Sequence, residues 1–108
     1  MSEYEINSYG NKEWRLNGIL HREDGPAFVW ANGDKEWFKN GLRHREDGPA
    51  IEWVDGYKEW YYGGLLHRLD GPAVEWPDGT KEWWVKGKEY TEDEFVLQLF
   101  SRGMIINE

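Results

Sequence analysis

The sequence predicts an all-β fold: a single-layer antiparallel meander of hairpin repeats, closed by one short C-terminal helix. Three observations predict it. Lys-Glu-Trp recurs at 12–14, 35–37, 58–60 and 81–83, always 23 residues apart, and a fixed period of that size marks a repeat architecture. Two Gly-bearing turn signals punctuate each unit, at Asn17-Gly18 and Asn32-Gly33 in the first. Between the turns lie short runs rich in Trp, Tyr, Phe, Val and Ile, residues that fit a pleated, half-buried surface.

The array runs over residues 3–90. Residues 3–11 match the end of a unit, with Gly10 standing where Gly33, Gly56 and Gly79 fall. Full units span 12–34, 35–57 and 58–80, and a partial one spans 81–90. Asn32-Gly33, Asp55-Gly56 and Asp78-Gly79 read as two-residue type I′ loops, as do Asn40-Gly41, Gly63-Gly64 and Lys86-Gly87. Two-residue loops would set Ile51 opposite Trp60, Glu52 opposite Glu59 and Trp53 opposite Lys58. They would also set Tyr62 opposite Leu65, Trp60 opposite His67 and Glu59 opposite Arg68. The expected contacts follow from that register. Trp30–Lys35, Trp53–Lys58 and Trp76–Lys81 make cation–π pairs. Glu13–Arg22, Glu36–Arg45, Glu59–Arg68, Lys12–Glu23 and Lys35–Glu46 make cross-strand ion pairs. Pro26, Pro49 and Pro72 cannot donate to a ladder and mark strand starts or bulges.

After Tyr90 the period stops. Thr91-Glu92-Asp93-Glu94 is a capping box with Thr91 as N-cap and Glu94 as its partner. Phe95, Val96, Leu99 and Phe100 form one apolar stripe at helical spacing. The expected helix covers about 92–102, ends at Gly103 and caps the open end of the array; docking of a partner on the helix is the alternative. Residues 104–108, beginning with the apolar Met104-Ile105-Ile106, form a tail.

The unit "W-F-K-N-G-L-R-H…V-D-G-Y", with Trp37, Asn40, Gly41, His44, Asp55 and Gly56, resembles the MORN repeat. The "HREDGPA" motif is closer to the variant form found in bacterial antitoxin-like proteins and in phage and large-virus reading frames. The likeness covers residues 3–90. It departs from the ordinary pattern where His-Arg-Glu-Asp-Gly-Pro replaces His-Gly-x-Gly. The resemblance implies an elongated, twisted sheet of hairpins with a scaffolding or protein-binding role. It also suggests a phage-type inhibitor of a host defence or toxin protein, acting by occlusion.

Composition narrows the function classes. The chain has 108 residues, 21 acidic against 13 basic, and a net charge of −8 with His neutral. That balance makes nucleic-acid and anionic-membrane binding poor expectations. There is no cysteine, hence no disulfide or thiolate site. With no apolar run of membrane-spanning length and no secretory leader, the expected location is cytoplasmic. The motif at 21–27, repeated at 44–50 and as "HRLDGPA" at 67–73, resembles a reactive cluster. Three copies along one array argue for architecture instead, because acid–base catalysis converges on a single pocket. Asp24, Asp47 and Asp70 precede Gly-Pro and suit Asx turns. His21, His44 and His67 are spaced, not converged, so no metal is expected. With Arg22, Arg45, Arg68 and the spine Trp14, Trp37, Trp60 and Trp83 they form the repeating frame. No cofactor and no enzymatic activity are expected.

Positions that vary between units carry the functional candidates: Phe38, Arg43, Tyr61, Tyr62, Leu66 and Trp84. Phe38, Tyr61 and Trp84 should lie in a row on one face, a protein-binding patch unless the helix covers it. Two further readings are an aromatic platform for nucleotides or sugars and an acidic DNA mimic. The chain is expected to be a monomer or a homodimer.

Overall fold

The computed structural model describes residues 2–101 and 103; the predicted tail lies outside them. The chain is an antiparallel meander with one C-terminal helix, Glu92–Ser101. The main sheet runs in chain order through Glu3–Ile6, Lys12–Leu16, Phe28–Val29, Lys35–Glu36, Ile51–Glu52, Lys58–Glu59, Val74–Glu75, Lys81–Val85 and Lys88–Tyr90. Ile19–Leu20 pairs with Lys12–Leu16. Two short ribbons, Phe38–Lys39 with Leu42–Arg43 and Tyr61–Tyr62 with Leu65–Leu66, extend the same pattern. The principal extents are 53 × 30 × 21 Å and the radius of gyration is 15.8 Å. A compact domain of this length would have about 13 Å, so the array is elongated.

The two turn classes differ, and the difference sets the faces. At Asn17-Gly18, Asn40-Gly41, Gly63-Gly64 and Lys86-Gly87 both residues have positive φ, the signature of a two-residue type I′ loop. Tyr62 pairs with Leu65, and the His67 N–H donates to Trp60 O, as the sequence predicts. At Asn32-Gly33, Asp55-Gly56 and Asp78-Gly79 only the glycine has positive φ. There the Gly56 N–H donates to Trp53 O and the Trp53 N–H to Tyr57 O. This is a three-residue loop, a type I turn followed by a left-handed glycine. The Asp55 carboxylate accepts the Tyr57 N–H, and Asp78 likewise that of Thr80, an Asx-type bond that holds the turn.

The extra loop residue moves the expected register by one and reverses which side chains share a face. Ile51 opposes Glu59 and Glu52 opposes Lys58, not Trp60 and Glu59. Trp53 meets Tyr57, with ring centroids 4.9 Å apart, in place of Lys58. The expected Trp–Lys pairs therefore give way to other partners.

Burial is thin. Ala27, Ala50 and Ala73 are fully buried where the ladder crosses. The Ala50 N–H donates to Glu59 O, while its carbonyl accepts the Trp37 N–H. Ile51 and Val74 are buried beside them. The other core lies under the helix, where Val85, Phe95 and Leu99 are buried against Leu69, Trp83 and Tyr90. The capping box forms: the Thr91 N–H donates to Glu94 Oε1, and the Glu94 N–H to Thr91 Oγ1. Half of the predicted stripe is used. Phe95 and Leu99 are buried, whereas Val96 and Phe100 remain exposed. Gly103 has φ +72 and donates to Phe100 O, ending the helix as its sequence signals.

Candidate functional site

The three His-Arg-x-Asp loops are clasps between units. His21 Nδ1 accepts the backbone N–H of Asn40, His44 that of Gly63 and His67 that of Lys86, at 2.8–2.9 Å. Each histidine thus holds the first residue of the next type I′ turn. Because a backbone N–H can only donate, Nδ1 carries no proton in these bonds. Nε2 faces Glu23 at 2.8 Å and Glu46 at 3.4 Å in the first two loops. These glutamates answer histidine, not the expected Lys12 and Lys35.

The arginines also depart from expectation. Arg22, Arg45 and Arg68 stack on Trp14, Trp37 and Trp60, with Cζ 3.9–4.0 Å from the ring centroids. Nε donates to Asp24, Asp47 and Asp70, and Nη1 to the carbonyls of Pro26, Pro49 and Pro72. Arg45 and Arg68 also reach Glu52 and Glu75. The Arg–Glu pairs expected with Glu13, Glu36 and Glu59 do not form because the chain crosses to the next unit here: the Arg45 N–H donates to Tyr61 O. The aspartates serve as arginine acceptors in place of the expected Asx turns, and Arg22 holds the Asp24 carboxyl below its ordinary pKa. A Cβ on Gly25, Gly48 or Gly71 would lie 2.9 Å from the arginine Cζ, so a larger residue there would require the stacked guanidinium to shift. One face of each of these indoles is covered by the chain's own guanidinium. Open grooves of about 600 and 560 Å³ separate successive clasps. Among the described residues, no three His, Asp or Glu side chains are placed to hold a metal.

Five of the six variable candidates, Phe38, Arg43, Tyr61, Leu66 and Trp84, lie on the other face. Along Lys81–Val85 side chains alternate; the helix packs on Trp83 and Val85, which leaves Trp84 on the opposite side. Phe38 and Tyr61 are its equivalents, with Arg43 opposite Phe38 and Leu66 opposite Tyr61. The helix therefore does not cover this strip. Tyr62, one residue from Tyr61, belongs to the clasp face and packs 4.4 Å from His44.

Sequence reasoning missed the carboxylates that share the strip. Glu36 is buried; it accepts Trp30 Nε1–H at 2.8 Å and Arg43 at 3.3 Å. Glu59 accepts the Tyr57 hydroxyl. Burial and Glu59 push the Tyr61 hydroxyl up to about 12 and raise Tyr57 as well. Glu82 accepts Trp84 Nε1–H at 2.8 Å. The period itself signals this line, since every Lys-Glu-Trp carries a Glu two residues before the variable position. No family model, curated protein or solved structure matches the chain.

Proposed function

We propose that the chain is a MORN-like hairpin-repeat module that binds a protein partner, without catalysis, through the strip Phe38, Arg43, Tyr61, Leu66 and Trp84. The observation that carries this reading is the opposition of the two faces. Clasps and helix occupy one face, and Phe38, Arg43, Tyr61, Leu66 and Trp84, at positions that differ from unit to unit, line the other. Half-buried aromatic rings beside an arginine match the composition of interface cores. The net charge of −8 favours a basic partner surface and fast encounter. Occlusion of a host defence or toxin protein in a cytoplasm is the concrete form of this role.

Affinity capture from a bacterial lysate, repeated with two variants, tests it. A Phe38→Ala/Trp84→Ala variant that melts as a folded protein should lose a partner that the wild type retains. The clasp-face variant Lys39→Ala/Tyr62→Ala should keep it. Retention by the strip variant, or loss by the clasp-face variant alone, would overturn the reading.

A further inference from the structure

Four carboxylates at equivalent positions line the strip: Glu13, Glu36, Glu59 and Glu82. The first two meet the chain's own guanidinium groups. Arg15 lies 2.6 Å from Glu13, and Arg43 lies 3.3 Å from Glu36. Among the described residues, the last two accept from neutral donors: tyrosine hydroxyls at Glu59 and the Trp84 indole at Glu82. Among the described residues, no Lys, Arg or His reaches ion-pair distance of Glu59 or Glu82.

Arg43 shows what fits such a place. Its Cζ lies 5.8 Å from the Phe38 centroid and 5.7 Å from that of Tyr61, so it is held by two rings and one carboxylate. Its backbone carbonyl accepts the Gly64 N–H of the next turn. Leu66 occupies the same position one unit on: its carbonyl accepts the Gly87 N–H, and it stands opposite Tyr61 beside the hairpin that carries Trp84. The rings and the carboxylates recur there, but the guanidinium does not. Glu89, exposed and opposite Trp84, adds a further negative charge.

We propose that the Tyr61–Leu66–Trp84 slot receives an arginine side chain of the protein partner, stacked on the rings and offsetting Glu59 and Glu82. This rests on the strip being the binding face. Arginine suits the slot better than lysine because its planar, weakly hydrated guanidinium stacks on aromatic faces and pairs with carboxylates together.

The test titrates wild type, Leu66→Arg and Arg43→Leu with a hexaarginine peptide, following the Trp84 indole N–H by NMR and affinity by calorimetry. Saturable binding that shifts Trp84 is expected in the wild type. Leu66→Arg supplies the slot from within and should weaken binding about tenfold without lowering the melting temperature. Arg43→Leu opens the preceding slot and should raise the stoichiometry. Equal binding by wild type and Leu66→Arg, or an equal response to hexalysine, would overturn the slot. Lysate capture separates the two levels. If Leu66→Arg keeps a partner that the Phe38→Ala/Trp84→Ala variant loses, the slot falls and the strip stands; if both variants keep it, both fall.

Discussion

The two faces of the array are built from the same units and treat charge in opposite ways. On the clasp face every arginine is bound three ways by its own unit, to a Trp ring, an Asp and a Pro carbonyl. That pattern repeats at Arg22, Arg45 and Arg68 without change. On the strip the partners change from unit to unit, from Arg15 and Arg43 to tyrosine and indole donors. The clasp contacts therefore repeat with the period, whereas the strip contacts do not.

Substitutions should separate the faces by size of effect. Arg45→Ala removes a ring stack 3.9 Å deep and two hydrogen bonds. It should cost about 2–3 kcal/mol, read as a melting temperature lower by about 10–20 °C. His21→Ala leaves the part-buried Asn40 N–H without its acceptor and should cost about 2 kcal/mol in urea unfolding. His44→Ala should cost less, about 1 kcal/mol, because the Gly63 N–H is exposed and water can replace the ring. Equal losses at the two histidines would break the clasp account. Thr91→Ala removes half of the capping box and should cost about 1 kcal/mol, with hydrogen exchange rising in Glu92–Ser101 while the clasps stay protected.

The strip has its own signature in alkali. Folding raises the Tyr61 pKa from 10.0 to about 12, chiefly by burial and then by Glu59. The native state holds that proton more tightly than the unfolded chain, so this contribution is intact below pH 10 and is lost as the pH rises through about 12. Spectroscopic titration should find Tyr61 ionising late in the wild type and earlier in Glu59→Gln. The smallest effect on stability is expected for Leu66→Arg, within about 0.5 kcal/mol of wild type.

Much of this organisation was legible in the sequence. The Lys-Glu-Trp period gave the meander, Asn40-Gly41 gave the two-residue turns, and Thr91 with Glu94 gave the helix start. The register at Asp55-Gly56 was misread because Asp-Gly suits two loop types. A signal was present one unit on: Trp76-Pro77-Asp78-Gly79 has Pro and Gly where a type I turn wants them. The arginine stacks were not legible, since they depend on the chain crossing to the next unit after His44 rather than continuing the hairpin. For the strip, the row Phe38–Tyr61–Trp84 was readable from alternation. Its glutamates were hidden behind Arg–Glu pairs expected from continuing each hairpin past its His, where the chain instead crosses to the next unit.

"HREDGPA" forms the clasps between units, and the proposed binding strip lies on the opposite face. Equilibrium unfolding of a His44→Ala/Asp47→Ala variant, with partner capture measured on the same preparation, tests it most directly. A clear fall in melting temperature is expected, with binding lost only to the extent that folding is lost. A double variant that melts like the wild type and has lost its partner would contradict it.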